Sequence, residues 1–338
     1  MLQNNGLRRI CTVFPFIPVI PHPCSGRRRS VAGELNISVI SSRGGVAAAA
    51  EWTKPSETMR MSHSPFAAPN TTRVAPPPAP PRSYPAKPSD AYLFGTCVLD
   101  LFFPDAGMDA IRLLEREGIR VHFPQAQSCC GQPAYTSGYT DEARAVARAQ
   151  LALFGGDWPV VVPSGSCAGM FRHHYFELFK DEPETLAQVA ALAERTYELA
   201  EFLLNVCRVQ LRDSGAPVRV ALHTSCSARR EMNTHEHGRA LLAQLAGVER
   251  VEHDHESECC GFGGAFSVRM PDISGAMVRD KAAALNASGA AEVVSADCGC
   301  LLNINGAFEK QGDTLRGEHL ASFLLRRTAA KAGQEAGK

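Results

Sequence analysis

The chain has no apolar run approaching 18 residues, so nothing in it reads as a membrane span. It has no formal net charge either, with 35 Lys+Arg against 35 Asp+Glu. The balance is uneven: residues 1–86 hold 10 of the basic and 3 of the acidic residues, leaving 25 basic and 32 acidic, a net of −7, in the remainder. An acidic body argues against nucleic acid as the main partner. No G-x-G-x-x-G stands between a strand and a helix; Gly261-Phe262-Gly263-Gly264 lacks that spacing, so there is no flavin or nicotinamide fingerprint. The paired C-x(2–4)-C knuckles that announce structural zinc are missing as well.

What the chain does have is cysteine, 12 in 338 residues. Ser128-Cys129-Cys130-Gly131 is echoed by Glu258-Cys259-Cys260-Gly261, and each pair has outlying cysteines at matching distances. Cys97 precedes the first pair and Cys167 follows it; Cys226 precedes the second, and Cys298 and Cys300 follow. The offsets between halves agree: 129 from Cys97 to Cys226, 130 from Cys129 to Cys259, 133 from Cys167 to Cys300. This is an internal duplication whose unit is a set of four thiols. Around them lie strong α/β patterns able to bury their own core, unlike the short loop-rich chains stapled by disulfides, so the body is placed in a reducing cytoplasm.

The pattern predicts an α/β protein: two tandem repeated α/β domains with cysteines at the carboxyl ends of strands, preceded by a disordered N-terminal extension. Residues 1–90 read as the Pro/Arg-rich extension, with seven prolines in residues 76–88. It suits an organelle transit peptide, or a start assigned too early with Met59 or Met61 nearer the true one; Cys11 and Cys24 fall in it without a role. In the first domain, 91–182, strands are expected at Ala91–Thr96, Ile119–Phe123 and Val160–Val162. A helix opens at Pro104 and Asp105 with Met108, Ile111 and Leu114 on one face. A second, capped by Thr140, carries Val146, Gln150 and Leu153. Residues 183–213 read as a bridging helix. Its pattern over 184–207 puts Leu186, Val189, Leu192, Leu199, Leu203 and Val206 in register, with Cys207 buried on it. The second domain, 214–327, restates the first with strands at Val218–Thr224, Val248–Val251 and Glu292–Ala296. Helices follow around Leu241, Leu242 and Leu245, then from Asp272 through Ile273, Met277 and Lys281, and last over His319–Leu325. Residues 328–338 read as a frayed tail.

Every cysteine of the duplicated set falls at or past the carboxyl end of a strand, the edge where open α/β sheets build their sites. Four thiolates converging from three loops select zinc or an iron–sulfur cluster. Adjacent cysteines diverge from consecutive Cα atoms and suit a cluster with several iron atoms better than one small ion. Gly131 and Gly261 let the backbone approach such a group and offer it N–H donors. Buried core cysteines would explain one or two thiols but not eight in repeated register; a redox-active disulfide system is a second alternative, weighed against by the strain of vicinal disulfides and by Cys298-Gly299-Cys300 not being a C-x-x-C motif. His223, three residues before Cys226, reads equally as a ligand, a proton donor or a packed core histidine. His173, His174, His253 and His255 have no nameable role.

Residues 91–325 resemble the cysteine-rich CCG-domain family, whose unit is a cysteine, about thirty residues, Cys-Cys-Gly and a final C-x-x-C. The family includes the CCG-bearing component of heterodisulfide reductase, the iron–sulfur subunit of glycolate oxidase and the lactate utilization A proteins. The arrangement is most similar to the last: a free-standing tandem pair carrying Pro163-Ser164-Gly165-Ser166-Cys167-Ala168-Gly169-Met170 and Ala296-Asp297-Cys298-Gly299-Cys300-Leu301-Leu302-Asn303-Ile304. The resemblance implies one or two iron–sulfur clusters of 4Fe-4S type, held by Cys97, Cys129, Cys130 and Cys167 and by Cys226, Cys259, Cys260 and Cys300. It implies electron transfer in L-lactate oxidation with lactate utilization proteins B and C, as a non-flavin oxidoreductase component that acts only with partners. A heterodisulfide reductase-like thiol–disulfide reductase and a glycolate oxidase iron–sulfur subunit are the alternatives. The chain departs from the fullest motif where Ser164 and Asp297 replace the first cysteine of each C-x-x-C, leaving four thiols per half and Cys298 as a spare.

Overall fold

The computed structural model describes residues 82–329. The expectations for residues 1–81 and 330–338, with Cys11 and Cys24, lie outside the described residues.

Two four-stranded sheets, parallel throughout, carry the fold. The first has the order β2-β1-β3-β4, from β1 (Asp90–Leu93), β2 (Arg120–His122), β3 (Val160–Val162) and β4 (Thr196–Glu198). The second repeats it as β6-β5-β7-β8, from β5 (Val218–His223), β6 (Val248–Val251), β7 (Glu292–Ser295) and β8 (Gly317–His319). The inner strands explain themselves. Val160, Val161 and Val162 are all fully buried, as a β-branched run covered on both faces requires. In both sheets the chain steps from one side of the first strand to the other, so the carboxyl ends of β1 and β3, and of β5 and β7, flank a switch point.

The repeats share a core. Leu93, Leu114, Leu199 and Phe202 of the first pack in one cluster with Leu222, Leu241, Leu320 and Phe323 of the second. The outer faces bury separate clusters, around Phe171 and Tyr175 in the first repeat and Leu285 and Phe308 in the second. Among the described residues no helix is long and apolar enough to cross a membrane.

Several expectations are corrected. The continuous helix over 184–207 is interrupted: helix Pro183–Glu194 stops, Thr196–Glu198 pairs with β3 as β4, and the chain resumes as helix Leu199–Glu201 running into a π-helical turn, Phe202–Cys207. Here the sheet edge outcompetes helical periodicity, because Glu198 leaves the strand and caps the next helix through Ala200 N and Glu201 N, at 2.8 and 3.2 Å. The last helix likewise starts after a strand, at Leu320, with His319 Nδ1 accepting from Ala321 N at 3.1 Å. Helix Pro104–Arg116 buries Ala106, Ala110, Leu113 and Leu114, and helix Thr140–Leu153 buries Ala143, Ala147, Gln150 and Leu151. In both, small residues face inward where neighbouring elements come close. Ile273 is 54% exposed, while Lys281 on the same helix is buried. The chain is also anchored before residue 91: Asp90 is already in β1, and Tyr84 Oη reaches Glu201 Oε1 at 3.2 Å.

Candidate metal centre

In each repeat three strand exits deliver the thiols. Cys97 is the first residue of helix Cys97–Phe102 after β1, Cys129 and Cys130 lie in the loop after β2, and Cys167 sits in helix Gly165–Gly169 after β3. Cys226, Cys259 with Cys260, and Cys300 occupy the matching exits of β5, β6 and β7. Thr96 and Ser225, one residue before the first cysteine of each set, both turn a hydroxyl to a main-chain N–H three residues on, Leu99 N at 3.4 Å and Ala228 N at 3.0 Å.

The loops are clamped. Gln127 accepts from Gly95 N at 2.7 Å and donates to Leu93 O at 3.2 Å, tying the exits of β1 and β2 together. The fully buried Gln150 donates to Ser128 Oγ at 3.0 Å. The carbonyl of the second cysteine is held in each repeat, by Tyr175 Oη on Cys130 O and by Asn303 Nδ2 on Cys260 O, both at 2.9 Å. Gly131 and Gly261 have φ of +87° and +85°, the left-handed region that excludes most side chains. Their N–H groups reach back to Cys129 Sγ and Cys259 Sγ at 3.4 and 3.3 Å.

Within the first set Cys97 Sγ lies 3.7 Å from Cys129 Sγ, and Cys130 Sγ 3.4 Å from Cys167 Sγ. Cys129 is pushed towards the thiolate by hydrogen bonds from Cys130 and Cys97, and Cys259 by those from Cys226 and Cys260. The proton is held by the neighbours, Cys97, Cys130, Cys226 and Cys260, whose thiols are pushed up.

All eight predicted thiols line a single cavity of about 370 Å³ between the repeats. Spacing along the chain does not reveal this convergence. The reason lies in how the halves interlock. Helix Gly165–Gly169, which carries Cys167, packs on the π-helical turn Ala228–Met232 just after Cys226. Helix Cys298–Gln311, which carries Cys300, packs in turn on helix Cys97–Phe102. The segment bearing the last cysteine of each repeat thus rests on the segment at the first cysteine of the other. Cys298 also lines the cavity but is buried against Leu99 and Ala106, and burial pushes its thiol well up. Cys207 lies away in the shared core.

Among the histidines without a role in the sequence reading, His174 has a partner: its Nε2 lies 2.9 Å from Glu231 Oε1, joining the two repeats at the cavity wall. That hydrogen bond favours the imidazolium form and raises the pKa of His174. His253 Nδ1 bonds Asp254 O at 2.7 Å, the exposed His255 pairs through Nδ1 with Glu258 Oε1 at 2.9 Å, and His173 is exposed. His223 is fully buried, and one of its ring nitrogens lies in a group with Cys260 Sγ and Cys300 Sγ, all within 4.8 Å of one another. Burial keeps it neutral, its pKa well below the usual value.

The family model "CCG: Cysteine-rich domain" matches residues 91–172 and 220–305, one match per repeat. "Lactate utilization protein A" of Shouchella clausii is 43% identical over 232 residues, covering 69% of this chain and 97% of that protein. The protein of the same name from Halalkalibacterium halodurans is also 43% identical over 232 residues, covering 69% and 95%. A solved structure of a hypothetical protein from Helicobacter pylori aligns over 75% of this chain and 51% of its own, at 14% identity and a TM-score of 0.47. With the motif doubled, matched in both repeats and shared with relatives along nearly their whole length, the chain belongs to the cysteine-rich CCG-domain family.

Proposed function

We propose that this chain is an iron–sulfur electron-transfer component of a multi-protein system that oxidises L-lactate, acting in the cytoplasm with lactate utilization proteins B and C. The observation that carries the reading is the convergence of two four-thiol sets on one cavity. The donor set fits a cluster better than a single ion. A tetrahedral zinc site, with Zn–S near 2.3 Å, brings all four sulfurs to about 3.8 Å from one another. Among the described residues the one group of three donor atoms within 4.8 Å is His223, Cys260 and Cys300, so the first set is not gathered around one point as a single tetrahedral ion requires, and adjacent cysteines such as Cys129 and Cys130 suit a group with several iron atoms.

Cys97, Cys129, Cys130 and Cys167 would hold one centre and Cys226, Cys259, Cys260 and Cys300 the other. Iron–sulfur clusters bound there would supply one-electron redox chemistry. The chain's own part is to present the thiols and to hold their loops rigid through Gln127, Gln150, Tyr175 and Asn303. The N–H groups of Gly131 and Gly261 draw charge from the sulfurs. Oxidation of the hydroxy acid falls to a partner, since the chain has no flavin or nicotinamide fingerprint. The name shared by the relatives supports lactate as the substrate of the system.

The test is iron and acid-labile sulfide content, with an electron paramagnetic resonance spectrum, on anaerobically purified protein. About four irons per half are expected for clusters of 4Fe-4S type, with loss in Cys129→Ser and Cys259→Ser. Zinc without sulfide would overturn the reading. A second reading, a thiol–disulfide reductase, is favoured by the open cavity between the thiol sets; turnover of a small disulfide by the isolated, reduced protein would select it.

A further inference from the structure

The two halves are not equivalent at the strand that delivers their first cysteine. His223 precedes Cys226 by three residues, as Phe94 precedes Cys97. Sheet register gives the same match: His223 pairs with Ser295, two residues before Asp297, and Phe94 N bonds Val161 O beside Val162, two residues before Ser164. Phe94 is fully buried and packs on Phe171, with ring centroids 4.8 Å apart. His223 is equally buried, yet neither ring nitrogen has a hydrogen-bond partner among the described residues.

A buried imidazole with both nitrogens unpaired carries their full desolvation penalty with nothing in return, and Phe94 shows that an apolar ring fills the equivalent position. The side chain nevertheless places a nitrogen within 4.8 Å of Cys260 Sγ and Cys300 Sγ. Resting on the metal-centre reading above, we infer that His223 is a nitrogen ligand of the second centre, alongside Cys260 and Cys300, where the first centre has thiolates alone. Histidine alongside thiolates makes a centre easier to reduce than thiolates alone. The two centres then differ in potential, and the second is the electron-accepting end of the pair.

The test uses the full chain, reconstituted anaerobically with iron and sulfide and labelled with 14N- or 15N-histidine. Pulsed paramagnetic resonance on the reduced protein is expected to show a coordinated nitrogen that responds to the label and is lost in His223→Phe. In that variant the second centre's iron falls while the first centre's stays. His223→Cys restores the iron without the nitrogen and shifts the midpoint potential downwards. Circular dichroism and melting on each variant separate loss of ligand from loss of fold. A wild type with iron in both halves and no histidine coupling, or the same coupling in His223→Phe, overturns the inference alone. A wild type without iron and sulfide overturns the metal-centre reading and this inference with it.

Discussion

Ser164 Oγ donates a hydrogen bond of 2.9 Å to Asp297 Oδ1, across the boundary between the repeats. The two residues stand at equivalent positions, 133 apart, where the fullest form of the motif has its extra cysteines. Both are buried, and Asp297 Oδ1 also accepts from Ser166 N and Ser166 Oγ, at 3.1 and 2.8 Å. Positions that would carry a fifth thiol in each half instead form a polar seam between the halves.

Asp297→Ala leaves Ser164 and Ser166 without their acceptor. The expected loss is about 1–3 kcal/mol of stability, read as a lower urea midpoint with unchanged slope. A double-mutant cycle with Ser164→Ala should return a coupling of about 0.5 kcal/mol or more; strict additivity would show that the seam is energetically idle.

Removing metal with a chelator and exposing the protein to air should join the nearest thiols. Oxygen takes two electrons and two protons from each pair as an S–S bond forms. The expected products are Cys97–Cys129 and Cys130–Cys167, the pairs at 3.7 and 3.4 Å. Peptide mapping by mass spectrometry identifies them, and a dominant Cys129–Cys130 link would contradict the geometry.

Gly261→Ala should do more damage than Gly131→Ala. Both positions have positive φ, but a Cβ at Gly261 would sit 2.7 Å from Ser274 O, against 3.4 Å from Ala143 O at Gly131. Strain of about 1–3 kcal/mol is expected for the left-handed backbone alone, with the surplus confined to Gly261→Ala. Melting temperature and iron retention, measured on both variants, report it; equal effects would remove the steric explanation.

The His174–Glu231 pair makes the join between repeats pH-dependent. His174 has a raised folded-state pKa, so its contribution is full below the usual value near 6.5 and is lost as pH rises through the higher folded value. Wild type should exceed His174→Gln by about 0.5–1 kcal/mol at pH 6, on the scale of partly exposed pairs, with the gap closing above neutrality. Denaturation series at pH 6 and pH 8.5 check this, and a constant gap would assign the bond to neutral imidazole.

The duplication, the inner strands and the eight thiols were legible in the residues, because cysteine spacing and β-branched runs are local patterns that survive without coordinates. The inner strand Val160–Val162 matches its expected bounds, as does the edge strand Val248–Val251. The edge strands β4 and β8 were not legible: Thr196–Glu198 and Gly317–His319 are short and polar, and only pairing with β3 and β7 makes them strands. Chain order likewise says nothing of which loop of one repeat meets which loop of the other. That the thiol sets share a cavity, that Ser164 meets Asp297, and that His223 reaches Cys260 and Cys300 all follow from packing between segments far apart in the chain, which side-chain shape and burial decide and residue spacing does not.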